Sequence, residues 1–402
     1  MTRRSALPDP FAPADLGPIR LRNRLIKCAT FEGMTPDALV TDELVDFHRE
    51  VAAGGVGMST VAYCAVAPEG RTDRHQIWLR PEAATGLTRL TDAIHTEGAK
   101  AAAQLGHAGA VANSASNRRK ALGPSRIPAP MGMSLTHKVT PAEIRELAKT
   151  FAAAARIAVD VGFDGLEIHC GHNYLLSSFF SPLLNRRRDE YGGSLTNRVR
   201  FAREVLEAVR TEVGPAVAVW AKLGLYDGAP GGLQIDEACQ IAQLLERDGH
   251  LDAIEPTAGS SLLNPMYLFH GRAPRKEFAA AFSGALRAGL KVAGPVFLKH
   301  YPYHDTYLLP LARQLRQAVG LPLILLGGVT DRAAIDTALS EGFDFVAMGR
   351  ALLREPELPR LLAADPTAHS KCTHCNLCMP TIYSKTRCPI RTGEVTDPLA
   401  NG

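Results

Sequence analysis

The sequence predicts an α/β fold, a (β/α)8 TIM barrel with long loops on its C-terminal face and a short cysteine-rich C-terminal extension. Three observations lead there. Short apolar runs alternate with helix-like patterns through nearly the whole chain, as parallel strands joined by crossover helices require. Eight such units can be counted, with strands expected over 25–30, 57–61, 101–104, 165–169, 217–222, 253–256, 323–326 and 345–348. Polar residues recur at the C-terminal ends of these runs, which is where a barrel carries its site.

The helices between them have local support. Thr140-Pro141-Ala142-Glu143 combines a capping box with proline at the first helical position and opens a helix running to about Val161. Within it Ile144, Leu147, Ala148, Phe151 and Ala155 recur at helical spacing, so one face is expected to pack on the barrel. Thr330-Asp331 is expected to cap another helix. Two connections, 107–139 and 257–305, are too long for plain turns. Such loops are expected to serve as lids or walls of the substrate pocket; the second, with Asn264-Pro265-Met266-Tyr267, either extends over the pocket or is an exposed insertion. The barrel is assigned to residues 1–365 and the cysteine-rich extension to 366–402.

Composition narrows the function classes. Of the 402 residues 46% are hydrophobic and 21% charged, ordinary for a globular protein, so disorder and a membrane-embedded chain are not expected. The net charge of +4 is small and Lys and Arg are scattered, which gives no support to nucleic-acid binding. Met1-Thr2-Arg3-Arg4 is followed by Pro8, Asp9, Pro10, Pro13 and Asp15 where a secretory signal needs an apolar run. A cytoplasmic protein is expected, and Cys28, Cys64, Cys170 and Cys239 are then most simply free thiols.

The segment 162–201 carries the chemistry. Its apolar run ends in three polar rings, His169, His172 and Tyr174. Imidazoles can donate hydrogen bonds to a substrate oxygen, and a phenol with a pKa of about 10 stays protonated at neutral pH and can serve as an acid. A lone histidine at a strand end is more often a hydrogen-bonded core residue. Here two histidines and a tyrosine fall on one turn, the third run ends at Gln104 and the fifth at Lys222. Runs seven and eight end at Gly327-Gly328 and Gly349-Arg350. One glycine pair reads as a tight turn. Two on the last adjacent strands, one followed by a cation, read as a phosphate cradle, because glycine lets backbone N–H groups approach closely. Asn185, Arg188, Asp189, Tyr191, Gly192, Gly193 and Asn197 are expected to tie down the loop after the fourth strand.

Taken together, the stretch G-F-D-G-L-E-I-H-C-G-H-N-Y through N-R-V-R-F, with Gln104 and Lys222, resembles the Old Yellow Enzyme family of flavin-dependent ene-reductases. The resemblance implies a bound FMN, with NAD(P)H as reductant and an α,β-unsaturated carbonyl compound as substrate. It implies that His169 and His172 hold the substrate carbonyl and that Tyr174 delivers a proton. Gln104 would bond the pyrimidine edge of the flavin, and Lys222 would lie near N1 where most members have arginine. Ala29 and Thr30 would neighbour the ring. Where relatives place threonine or cysteine this chain has Phe31, and it departs from the family pattern there.

Four further cysteines crowd the C-terminus. Cys372, Cys375 and Cys378 are spaced C-x2-C-x2-C, and Cys388 follows nine residues later before Pro389. Three close thiolates and a distant fourth suit a cubane iron–sulfur cluster, whereas structural zinc more often splits its ligands two and two. Iron–sulfur of the 4Fe–4S type, zinc and no metal all remain open readings. Cys372-Thr373-His374-Cys375-Asn376-Leu377-Cys378 resembles the cluster segment of the longer relatives trimethylamine dehydrogenase and 2,4-dienoyl-CoA reductase. That likeness adds two alternatives to enone reduction: amine dehydrogenation or demethylation, and an electron-transfer subunit whose tail docks a redox partner. Self-association is a further expectation.

Overall fold

In the computed structural model residues 7–399 are described; Met1–Arg4, on which the reading of the N-terminus rested, lie outside them. Eight parallel strands form one sheet: β1 Leu25–Lys27, β2 Met58–Ala65, β3 Lys100–Gly106, β4 Gly165–Cys170, β5 Ala218–Gly224, β6 Ala253–Thr257, β7 Ile324–Leu326 and β8 Phe345–Met348. In space they run β6-β5-β4-β3-β2-β1-β8-β7, and a parallel bridge from Ile254 to Leu323 joins the two edges into a barrel. The helices that follow the strands are α1 Asp42–Ala53, α2 Ala84–Thr96, α3 Pro141–Asp160, α4 Leu195–Val213, α5 Ile235–Asp248, α6 Leu309–Ala318, α7 Arg332–Ser340 and α8 Arg350–Arg354.

The local signals act as expected. Thr140 Oγ1 accepts from the Glu143 N–H at 3.2 Å and Glu143 accepts from the Thr140 N–H at 2.6 Å, closing the capping box at the start of α3. Ile144, Leu147, Ala148, Phe151 and Ala155 are all buried on its inner face. At α7 it is Asp331 that caps, accepting from the Ala334 N–H at 2.8 Å. The first strand is shorter than expected. Its ladder ends at Lys27, and Cys28, Ala29 and Thr30 lie beyond it, because the chain turns off the barrel rim there to carry Glu32 back to Lys27 at 2.7 Å.

Inside the barrel side chains are layered. A lower layer of Ile26, Met58, Ala102, Ala218, Trp220, Ala253, Ile324 and Phe345 is sealed from beneath by an N-terminal hairpin, Ala14–Leu16 with Ile19–Leu21. This apolar plug leaves the polar positions of the strands one repeat higher as the floor of the mouth. Above it the alternation of in and out along each strand turns Gln104, Glu167, His169, Lys222, Glu255 and Thr257 inward. The neighbouring register pairs are Gln104 with Glu167, His169 with Lys222, and Lys222 with Glu255.

Candidate active site at the barrel mouth

Beyond the end of β4 the chain makes a tight turn in which His172 and Asn173 adopt left-handed backbone angles, φ 58° and 57°. Asparagine tolerates this conformation; histidine does so only when its surroundings hold it there. Here they do. The buried Asn173 amide donates to Asp227 Oδ1 at 2.9 Å, and Asp227 Oδ2 also accepts from Ser181 Oγ at 2.5 Å and the Leu233 N–H at 2.9 Å. The loop after β5 thus clamps the turn after β4.

The three rings converge. His169 and His172 have centroids 5.1 Å apart, His169 and Tyr174 4.5 Å, and Tyr63 from β2 lies edge-on to Tyr174 at 5.5 Å. The hydrogen bonds fix one tautomer order. The Gly171 N–H donates to His169 Nδ1 at 3.3 Å, so the His169 proton is on Nε2, which faces His172 Nδ1 at 3.4 Å. His172 then carries its proton on Nε2 and donates to Thr257 Oγ1 at 2.9 Å. This order is assigned from the bonds. Both rings are held neutral. Burial, His172 and Lys222 depress the His169 pKa, and burial with Lys222 takes His172 down to about 3. Burial pushes the Tyr174 phenol up, so that it keeps its proton.

Beneath the rings Lys222 Nζ lies 2.6 Å from Glu167 and is also paired with Glu255. Gln104 Nε2 donates to Glu167 Oε1 at 3.0 Å. Against the cost of burial, the two carboxylates hold the ammonium above its ordinary pKa. Neither glutamate was expected from the sequence. The signal was available, since Glu167 sits two residues before His169 in a period-2 strand and must share its inward face.

The mouth fits a flavin. The Thr30 hydroxyl is buried without a partner, as are Oε2 of Glu167 and of Glu255. Beside Thr30, Gly349 leaves space that a Cβ would fill at 2.9 Å from Cys28 Sγ. Gln104, Thr30 and Lys222 supply an amide, a hydroxyl and a cation at the C-terminal ends of the strands, donor chemistry that suits the N–H and C=O edges of an isoalloxazine. Gly327 and Gly328 have φ of 99° and 82°, and a Cβ on Gly328 would meet Thr306 N at 2.6 Å. The close approach they permit is that of residues 304–308. Arg350 follows Gly349, but its guanidinium is bonded to the His270 carbonyl at 2.8 Å and to Asn376 Oδ1. It therefore faces the cysteine segment.

That segment lies over the barrel rim. Asn376 Nδ2 donates to the Phe269 and Arg272 carbonyls at 2.8 and 2.9 Å, and the Thr386 N–H donates to Glu32 O at 2.7 Å. Among the described residues no three His, Cys, Asp or Glu side chains gather closely enough to hold a single metal ion. The four thiols nonetheless share one neighbourhood: burial pushes Cys378 up to about 12, and Cys372, Cys375 and Cys388 all act on it.

One residue of the loop after β4 was misread. Arg188 is exposed, whereas Arg187 is buried and forms the anchor, bidentate to Asp189 at 2.9 and 2.7 Å and bonded to the Pro124 and Val139 carbonyls at 3.0 and 2.6 Å. Asn185 bonds the Phe179 and Tyr191 carbonyls, as a structural residue should.

A TIM barrel whose mouth presents two neutral imidazoles, a protonated phenol and a buried lysine defines a flavin oxidoreductase of the Old Yellow Enzyme type. Residues 9–255 match the NADH:flavin oxidoreductase / NADH oxidase family, and the chain belongs to it. Its cofactor is FMN and its reductant NAD(P)H. The chain is 53% identical over 388 residues to 4,4'-dithiodibutanoate disulfide reductase of Rhodococcus erythropolis, covering 96% of each. It is 34% identical over 368 residues to a metal reductase of Desulforamulus reducens, covering 91% of this chain but 50% of that one. Among solved structures, a 2-naphthoyl-CoA reductase in complex with 2-naphthoyl-CoA superposes with a TM-score of 0.81 at 25% identity, over 96% of this chain and 57% of the other. The chain thus spans nearly all of the first relative and about half of the other two. Among the described residues no helix is long and apolar enough to cross a membrane.

Proposed function

We propose that this FMN-dependent oxidoreductase reduces the C=C bond of α,β-unsaturated carbonyl compounds with NAD(P)H. The observation that carries the reading is the convergence of His169, His172 and Tyr174, with centroids 4.5 and 5.1 Å from the shared ring of His169. When bound, FMN supplies hydride transfer, receiving a hydride from NAD(P)H and passing it on to the substrate. The protein's part is to bind, orient and protonate. As hydride adds to Cβ, charge grows on the carbonyl oxygen, and the neutral imidazole N–H groups, which otherwise bond His172 Nδ1 and Thr257, lower the barrier by turning to that oxygen. Tyr174 O–H gives its proton to Cα and recovers one from solvent. The sum is enone, NAD(P)H and a proton giving saturated ketone and NAD(P)+.

A second reading is favoured by one observation, the 53% identity to a disulfide reductase along nearly the full length of both chains. The same reductant and the same proton donor serve an aliphatic disulfide: disulfide, NAD(P)H and a proton give two thiols and NAD(P)+. Steady-state assays with cyclohexenone and with 4,4'-dithiodibutanoate, under nitrogen and with each nicotinamide in turn, separate the two. Turnover of the enone at a kcat/KM at least tenfold above that of the disulfide supports the first; the reverse ratio overturns it in favour of the second.

A further inference from the structure

Two buried carboxylates share one ammonium in the upper layer of the barrel, which leaves this layer short of one positive charge. Glu167 is wholly buried and Glu255 likewise, and Lys222 Nζ bonds Oε1 of each. Oε2 of both is without a partner. If both glutamates were ionised, the cluster would hold a net negative charge in a region sealed below by Trp220 and Phe345, and unbalanced buried charge is costly. A proton on one carboxyl removes that charge. Glu255 is the better seat for it, because the Gln104 amide donates to Glu167 and stabilises that carboxylate, while Glu255 has Lys222 alone.

We propose that Glu255, where it is ionised in the oxidised enzyme on the alkaline side of neutrality, takes up one proton from solvent for each two-electron reduction of the cofactor, so that the negative charge gained above Lys222 is offset inside the barrel. The proposal rests on FMN lying at this mouth and is independent of which substrate is reduced. Its balance is simple: two electrons and one proton arrive as the hydride of NAD(P)H, and a second proton from water adds to the Glu255 carboxylate; no bond within the protein breaks. The groups facing the cluster leave Glu255 as the one able to respond near neutrality. Burial, with Glu167 adding to it against Lys222, raises Glu255 to about 7. Cys28, on the other wall, is pushed up to about 12 by burial and stays a thiol. His169 and His172 are held neutral, and Lys27 of β1 is engaged with Glu32 at 2.7 Å.

The test is the pH dependence of the midpoint potential of the purified holoenzyme between pH 5.5 and 8.5, compared with Glu255→Gln and Glu255→Asp. One extra proton per two electrons adds about 30 mV per pH unit to the slope on the alkaline side. Glu255→Gln is expected to lose that increment and Glu255→Asp to keep it. An unchanged slope in Glu255→Gln overturns the proposal. Should Glu255→Gln fail to retain flavin, the wild-type infrared difference spectrum between oxidised and reduced enzyme decides: a protonated-carboxyl C=O band gained on reduction supports the assignment, and no such band overturns it. Neither readout involves enone or disulfide turnover, so failure here leaves the substrate assignment standing, and the converse also holds.

Discussion

Asn173 donates its amide to Asp227 at 2.9 Å between the loops that follow the neighbouring strands β4 and β5, and this buried pair holds His172 in a backbone conformation that histidine adopts rarely. The loop after β5 therefore sets the aim of a ring carried by β4. Asp227→Ala would strand the Asn173 amide, the Ser181 hydroxyl and the Leu233 N–H together. Each orphaned buried donor costs about 1–3 kcal/mol. We expect a thermal midpoint lowered by several degrees or more and, in the folded fraction, a kcat lowered with FMN still bound; unchanged kcat would show that the clamp does not aim the ring.

Tyr174→Phe removes an O–H while keeping the ring beside Tyr63 and His169. General acids contribute roughly 100- to 10,000-fold. Rapid mixing is expected to show flavin reduction by NAD(P)H within a few-fold of wild type and reoxidation by substrate slowed at least about 100-fold. Equal slowing of both half-reactions would remove Tyr174 from the role of proton donor.

The mouth also sets a pH dependence of stability. Burial lowers His107 to about 3 and lowers His169 in the same direction, so each binds a proton in the unfolded chain that it refuses in the folded one. Such a group contributes its full stability above the ordinary imidazole pKa, near 6.5, and loses it as pH falls towards the folded value. For His107 the loss at pH 5 is about 2 kcal/mol. Glu255 acts in the opposite sense. Its raised pKa contributes stability below about 4.5 that disappears as pH climbs to about 7. With His107, His169 and His172 lowered against Glu255 and Asp227 raised, thermal midpoints of the holoenzyme are expected to fall from pH 6.5 to pH 5; a flat or rising profile would contradict neutral imidazoles at the mouth.

How much of this was legible in the sequence depends on whether the signal was local. All eight barrel strands and the capping box of Thr140 and Glu143 were readable, because apolar periodicity and cap chemistry are written within a few residues. His169, His172 and Tyr174 were readable as a group for the same reason, lying on one turn. Glu167 and Glu255 were missed although each sits in an apolar run, since their pairing with Lys222 exists only once three strands are set in register. Arg350 shows the converse: its position after Gly349 was read correctly, but its direction is decided by Asn376, 26 residues on. The first strand was read too long because its apolar character continues through Cys28 and Ala29 after the ladder has ended.

Arg187 and Arg188 offer the plainest contrast between neighbours. Both lie in one run of basic residues, and sequence alone gave no reason to favour the first. In the structure Arg187 is 3% exposed and ties the loop after β4 to the carbonyls of Pro124 and Val139 in the loop after β3, with Asp189 completing its bonds. Removing it leaves the Pro124 and Val139 carbonyls without this buried donor, while the half-buried Asp189 keeps the Tyr191 N–H, and each orphaned buried acceptor costs about 1–3 kcal/mol. Arg187→Ala is therefore expected to lower stability by that order in chemical denaturation, and Arg188→Ala to stay within about 0.5 kcal/mol of wild type. Equal effects of the two substitutions would mean that the loops after β3 and β4 are held together by something other than this guanidinium.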